Sequence, residues 1–214
     1  MPVLPVRSGA LLIGLVGLAG LVIQARVSFT LGFARGFSTA AIISKYLSYF
    51  TIVTNLLLSA TQLLSSLAPT SRPGQLARRP SIQGGLLLYI SVVGVVYVAV
   101  LARLWHPQGL QLWADVILHY ATPLLSLAFW VAAVPKLRLG WILALEWLWF
   151  PGVYLVWALI RGAFTGDYPY PFIDVHALGY SKALVGAAVV TGLFTVGGLV
   201  IIAASRAIAN RTAR

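Results

Sequence analysis

Six stretches of this chain, at residues 8–25, 40–67, 82–104, 112–134, 140–161 and 181–205, are apolar for long enough to cross a lipid bilayer. A hydrocarbon core about 30 Å thick takes about 20 residues of helix, and within it every backbone N–H and C=O must be satisfied inside the protein. The runs therefore read as helices. The connections between them are too short for a separate soluble domain, so the expected fold is all-α: a polytopic integral membrane protein whose six transmembrane helices form one bundle and one domain over residues 1–214. Residues 1–25 read as a retained first helix rather than a cleaved signal, because the run ends Val22-Ile-Gln-Ala-Arg26 without a small-x-small site.

The few charged residues carry orientation. The chain has 15 Lys and Arg against 4 Asp and Glu, a net charge of +11. The cations are scattered through short connections and form no dense patch beside exposed aromatics, which excludes nucleic acid as the expected partner. Arg7, Arg72, Arg78, Arg79, Lys136, Arg138, Arg206, Arg211 and Arg214 fall on the side of the termini. Arg26, Arg35, Lys45, Arg103, Arg161 and Lys182 fall on the other. The bias predicts cytoplasmic termini and a place in the cell (inner) membrane. Trp105 with Trp113, and Trp130 with Trp141, bracket two connections as interfacial tryptophans do. The chain has no cysteine, so disulfide and thiolate chemistry are out.

Within the fourth run, Trp113-Ala-Asp-Val-Ile-Leu-His-Tyr-Ala-Thr-Pro123 places a carboxylate and an imidazole in an apolar helix. An Asp at mid-membrane costs roughly 2.5 to 3.5 kcal/mol on insertion scales, so such residues turn toward a bundle interior or a wet cavity. Asp115 and His119 are one turn apart, and Thr122 and Ser126 continue their face. Pro123 lacks the N–H that the His119 carbonyl would otherwise receive, which predicts a kink.

The second run has a polar face of its own. Ser44, Ser48, Thr51, Asn55, Ser59 and Gln62 step by three and four, so on a continuous helix they share an arc of about 80°, with Thr54 off it. Single hydroxyls and amides are ordinary interhelical hydrogen-bonders in membranes. Six in register predict a polar seam or cavity along most of the helix.

The remaining runs read mainly as packing. Gly14, Gly17 and Gly20 allow a neighbour to approach the first helix, which Gln24 and Arg26 should close. The third run shows no chemistry, and Pro69–Ser81 reads as an aperiodic loop against anionic headgroups. His106 reads as a solvated loop residue, and Glu146 as a structural group paired with a nearby cation or held neutral. The proline- and aromatic-rich Thr165–His176 reads as a semi-rigid outer lid, with Asp174 and His176 at its surface or at an entrance.

If the polar faces of the second and fourth helices meet, Thr51, His119 and Asp115 form a set of nucleophile, base and orienter. By spacing alone a polar packing seam explains the same residues. The combination Tyr49-Phe-Thr51-Ile-Val-Thr-Asn55, Leu118-His119-Tyr-Ala-Thr-Pro123 and Tyr168-Pro-Tyr-Pro-Phe172 resembles the androgen-induced gene family and its bacterial six-span relatives. That family includes membrane threonine hydrolases that cleave fatty acid esters of hydroxy fatty acids. The resemblance implies Thr51 as nucleophile and His119 as general base. It departs at Thr54, where the animal proteins carry an acidic residue, and in a His-to-Pro spacing one residue shorter here. Asp115 as orienter, with Asn55, Ser48 and Thr122 as supporting residues and Asn55 or a hydroxyl of the second helix as oxyanion donor, is inferred from the polar faces.

The expected function is therefore intramembrane hydrolysis of a lipid ester, with a fatty acyl ester and the bilayer as partners and no cofactor or metal. Two rivals use the same residues. A metal-dependent membrane hydrolase would join Asp115 and His119 with His176 or Asp174. A non-enzymatic lipid- or small-molecule-binding or transport protein would use the seam as a polar path.

Overall fold

The computed structural model describes residues 3–104 and 106–212, so Trp105 and Arg214, named above, lie outside the described residues. All the regular structure in them is helical. Six helical stretches are long and apolar enough to cross a membrane: Val6–Ala34, Phe50–Leu67, Pro80–Leu101, Leu110–Ala133, Leu143–Thr165 and Val175–Thr212. Polarity is distributed as a bilayer demands. Leu12, Val22, Trp149, Val153 and Phe164 face outward, while Thr51, Asn55, Gln62, Gln83, Asp115 and Thr122 are buried. In water this surface would aggregate; against hydrocarbon it costs nothing, and the backbone is satisfied within the helices.

The first helix, α1 (Val3–Ala34), runs past Gln24 and Arg26 and ends at Gly36, whose φ of 76° is a left-handed stop. Gln24 does not close it; its side chain pairs with Gln111 across the bundle at 2.6 Å. Its glycines allow close contact: a Cβ at Gly17 would fall 2.3 Å from the Ser59 hydroxyl, and one at Gly20 would strike Ile117.

The second run is two helices, α2 (Thr39–Tyr46) and α3 (Phe50–Leu67). The break at 47–49 overturns the continuous six-residue face, because Ser44 and Ser48 do not share the α3 axis. Ser48 closes the break: its hydroxyl donates to the Lys45 carbonyl at 2.6 Å, and its own carbonyl accepts from the Tyr154 hydroxyl at 2.7 Å. The break puts a free helix start beside Thr51.

Within Pro69–Ser81, where no periodicity predicts structure, a short α4 (Arg72–Ala77) forms because the Ser71 hydroxyl accepts from the Gly74 N–H and Pro73 suits a first helical turn. α5 (Pro80–Val96) continues as a π-helical turn over Tyr97–Leu101. The fourth span is α6 (Leu110–Val116), a second π-helical turn over Ile117–Ala121, and α7 (Thr122–Ala133). The expected proline kink is thus absorbed by a wider turn, which carries His119. α8 (Leu143–Glu146) and α9 (Trp149–Thr165) form the fifth span, and α10 (Val175–Thr212) the sixth, its first turn set off by Gly179 at φ 75°. Glu146 is exposed on α8 and, among the described residues, has no cation within ion-pair distance. An aromatic core of Phe50, Tyr89, Phe150, Tyr154 and Phe194 binds α3, α5, α9 and α10 together.

Candidate active site

The polar residues of α3 do three different things along its length. Toward the chain's C-terminal end of the helix, Gln62 and Gln83 close on each other through their amides at 2.8 Å and tie α3 to α5. At the middle, Asn55 is fully buried and ties α3 to the π-helical turn: its amide donates to the Thr51 carbonyl at 2.9 Å and the Leu118 carbonyl at 3.3 Å. Its oxygen accepts from the Thr122 hydroxyl at 2.9 Å. With both amide protons engaged, Asn55 is a staple and not the free oxyanion donor expected from the sequence. Thr54 is buried, and its hydroxyl has no hydrogen-bond partner among the described residues. At the first turn of α3 the polar face opens onto space, where Thr51 lines a cavity.

There Thr51 meets His119. The Thr51 hydroxyl lies 3.3 Å from His119 Nε2. The other ring nitrogen, Nδ1, is 3.0 Å from the backbone carbonyl of Asp115 and 3.4 Å from that residue's carboxylate. Both neighbours of Nδ1 are acceptors, so the neutral ring carries its proton on Nδ1. Nε2 is left bare to receive the Thr51 proton. The second carboxylate oxygen of Asp115 accepts from the Tyr97 hydroxyl at 2.5 Å. Tyr97 also stacks on the imidazole, ring centroids 4.0 Å apart and planes 20° apart. The imidazole is thus fixed by its own helix at one edge and by a ring on one face. Both Tyr97 and His119 stand in π-helical turns, and such irregularities recur at functional sites because they re-aim side chains without ending a helix. Gly94 permits the approach of α5, since a Cβ there would press on the His119 carbonyl and Pro123 at 3.2–3.3 Å.

The segment after α9 folds over this point. Arg161, buried, donates to the Asp167 carbonyl at 2.6 Å and carboxylate at 3.1 Å, and Lys45 pairs with the same carboxylate at 3.2 Å. The chain then turns at Pro171–Ile173, with the Phe172 carbonyl seated where a Cβ on Gly186 would stand. This inserts Tyr170, whose hydroxyl accepts from the Thr51 backbone N–H at 3.3 Å. Burial pushes the Tyr170 phenol above its ordinary value, with hydrogen bonds from Thr51 pulling the other way, and it stays protonated at neutral pH. His176 is exposed and Asp174 caps the first turn of α10 through the Ala177 N–H at 3.0 Å. Neither reaches Asp115 or His119, and no cluster of three metal-ligating side chains is gathered among the described residues.

Two cavities adjoin Thr51. One, about 460 Å³, is lined mainly by apolar side chains such as Leu31, Phe37, Ile42 and Leu104, among which stand Arg35, Lys45, Asp115 and His119. The second, about 220 Å³, is walled by apolar side chains including Val92, Val93, Phe172, Ile173 and Phe194. Thr51 and Tyr170 border both. Gly152 and Thr191 line the apolar cavity yet are exposed on the outside of the bundle, so it opens sideways between α9 and α10.

Sequence reasoning missed Tyr97 and Tyr170. A tyrosine near the end of an aliphatic helix carries the signature of an interfacial anchor, and nothing in the run around Tyr97 set it apart. Tyr170 stood in a motif noticed for its prolines and aromatics, with no spacing to relate it to Thr51. Comparison of the chain with protein-family models, curated proteins and solved structures gave no match to any of the three.

Proposed function

We propose that this chain is an intramembrane lipid ester hydrolase in which Thr51 is the nucleophile and His119 the general base. The observation that carries the reading is the 3.3 Å contact between the Thr51 hydroxyl and an imidazole nitrogen whose partner nitrogen faces only acceptors. The Thr51 oxygen bonds to the ester carbonyl carbon as its proton passes to Nε2. Collapse of the tetrahedral intermediate breaks the bond to the leaving alcohol, whose alkoxide takes that proton and departs. Water then attacks the acyl-threonine with His119 again as base, releasing a fatty acid and regenerating Thr51. Asp115 holds the ring and stabilises the imidazolium that forms twice in the cycle.

The two cavities supply a division of labour. The apolar one suits the acyl chain, and its opening between α9 and α10 admits that chain from the bilayer. The larger one, where Arg35, Lys45, Asp115 and His119 stand among apolar side chains, suits the leaving alcohol and the hydrolytic water. By the cation bias the termini are cytoplasmic and the mouth of this cavity faces the outer side of the cell (inner) membrane. The resemblance to the androgen-induced gene family supports the same pair of residues and suggests fatty acid esters of hydroxy fatty acids among the substrates.

The direct test is an alkyl fluorophosphonate, which phosphonylates an activated hydroxyl with loss of fluoride. Incubated with the protein in lipid nanodiscs, it should leave an adduct that mass spectrometry maps to Thr51, and it should block hydrolysis of a fluorogenic lipid ester. Binding of the ester without turnover or adduct would instead favour a carrier that uses the same seam. The division of labour has its own test in Gly152→Trp. A Cβ at Gly152 meets nothing within 4 Å, so the helix accepts the change while the indole fills the side opening. Turnover of a long-chain ester presented in the bilayer should fall by about tenfold, the cost of roughly 1.4 kcal/mol of lost acyl-chain binding, while a short water-soluble ester is cleaved as before. Equal loss for both would mean that the opening is not the acyl route.

A further inference from the structure

Hydrolysis of an ester builds negative charge on the carbonyl oxygen, and Asn55 has no amide proton left to receive it. Two other donors stand at the nucleophile. One is the backbone N–H of Thr51 itself. Thr51 is the second residue of α3, and the first four N–H groups of a helix have no partner within it. The other is the hydroxyl of Tyr170, brought in by the folded-over segment and only 9% exposed. In the hydrogen bond between them, 3.3 Å long, the phenol oxygen is the acceptor, so the phenol proton is not spent in it. The neighbouring Tyr154 hydroxyl gives its own proton to the Ser48 carbonyl, and its oxygen meets the Tyr170 hydroxyl as a neutral acceptor that a developing oxyanion would displace.

We propose that the Thr51 backbone N–H and the Tyr170 hydroxyl form the oxyanion hole of this site, an inference that rests on the hydrolase reading above. Donors 3.3 Å apart can share one oxygen at about 2.9 Å from each, the ordinary length of such bonds. Both donors belong to residues that line both cavities, as an ester with its acyl chain in one and its alcohol in the other requires. As the carbonyl carbon is attacked, its oxygen becomes a stronger acceptor than the phenol and takes both hydrogen bonds. The developing charge also faces the positive end of α3. No proton leaves Tyr170: the protons transferred, from Thr51 to the leaving group and then from water back to Thr51, both pass through His119. The helix break therefore has a chemical purpose, because a continuous second span would have bonded the Thr51 N–H into its own ladder.

Tyr170→Phe separates this role from simple capping of α3, since the ring keeps its stacking on Phe172 and its edge contact with Tyr49. The variant's kcat for a fluorogenic ester should fall by about 10²- to 10³-fold, the usual cost of one oxyanion donor, with KM changed by less than about threefold. An alkyl trifluoromethyl ketone, which gives a tetrahedral oxyanion with the nucleophile, should lose affinity by a similar factor. A non-cleavable ether analogue should bind as to the parent protein. The thermal midpoint, measured alongside, reports any folding defect, and the ratio of the two affinities is read on folded protein only. A kcat within about twofold of the parent, or equal loss for ketone and ether, would overturn the assignment. If Thr51→Val also retained turnover, the Thr51 nucleophile would fall, and if the parent protein neither cleaved the ester nor took the fluorophosphonate label, the hydrolase reading itself would fall; both patterns are distinct from loss of the oxyanion hole alone.

Discussion

Replacing Thr51 with Val should lower lipid ester hydrolysis by at least about 10⁴-fold, more than 5 kcal/mol of transition-state stabilisation, while leaving the bundle folded. Valine is the informative choice because it matches threonine in shape and keeps the methyl contacts of a residue that is only 8% exposed. What it removes is the oxygen 3.3 Å from His119 Nε2. Thr51→Ser should retain turnover within about tenfold of the parent, since the nucleophile survives and only the rotamer preference imposed by the methyl group is lost. Fluorophosphonate labelling should follow the same order, absent in the valine variant and present in the serine one. Turnover by Thr51→Val within tenfold of the parent would show that this hydroxyl is not the nucleophile. Thr54 cannot stand in for it, because its oxygen is fully buried one turn further along α3.

How far the sequence foretold this site depends on the length of chain over which each signal acts. The spans were legible because hydrophobicity summed over some twenty residues overwhelms local detail, and Asp115 and His119 were legible because charge is costly in such a setting. Thr51 stood out among the hydroxyls of its run by its shared face with Asn55, a relation within one helix turn that the break at 47–49 leaves intact. The break lies just before Thr51, and it escaped notice because Leu47-Ser48-Tyr49 contains no glycine or proline. It is stabilised from outside by the Tyr154 hydroxyl on the Ser48 carbonyl, a partner more than one hundred residues away in the chain. The π-helical turns are similar. Pro123 announces a disturbed helix, but the choice between a kink and a wider turn is made where Gly94 of α5 packs against Pro123 and the His119 carbonyl. Tyr97 and Tyr170 approach the site from other spans. Their roles are products of packing, which leaves no periodic trace in either segment.

Asp115 offers the second large effect and a sharper test of geometry, because its two obvious substitutions should differ in an unintuitive order. In Asp115→Asn the Tyr97 hydroxyl, which now donates to the carboxylate, still needs an acceptor, so the amide oxygen turns to Tyr97 and the NH₂ turns to His119 Nδ1. Two donors cannot face each other. The imidazole is driven to carry its proton on Nε2, aimed at the Thr51 oxygen, and it can no longer accept from it. The backbone carbonyl of Asp115, 3.0 Å from Nδ1, opposes this change and keeps a fraction of the productive tautomer. We expect kcat to fall by about 10²- to 10³-fold, somewhat less than the roughly 10⁴-fold loss typical where the carboxylate is the sole acceptor. Asp115→Ala removes the carboxylate but introduces no competing donor, and the carbonyl then holds the tautomer alone. Its kcat should fall by about tenfold, the cost of an imidazolium without its counter-charge, while stability drops by about 1–3 kcal/mol for the lost hydrogen bond between Tyr97 and the carboxylate. The isosteric variant should thus be the poorer enzyme and the truncated one the less stable protein. The measurement is kcat and thermal midpoint for both in the same lipid, and an alanine variant slower than the asparagine one would place the work of Asp115 in its charge and not in the direction of the imidazole proton.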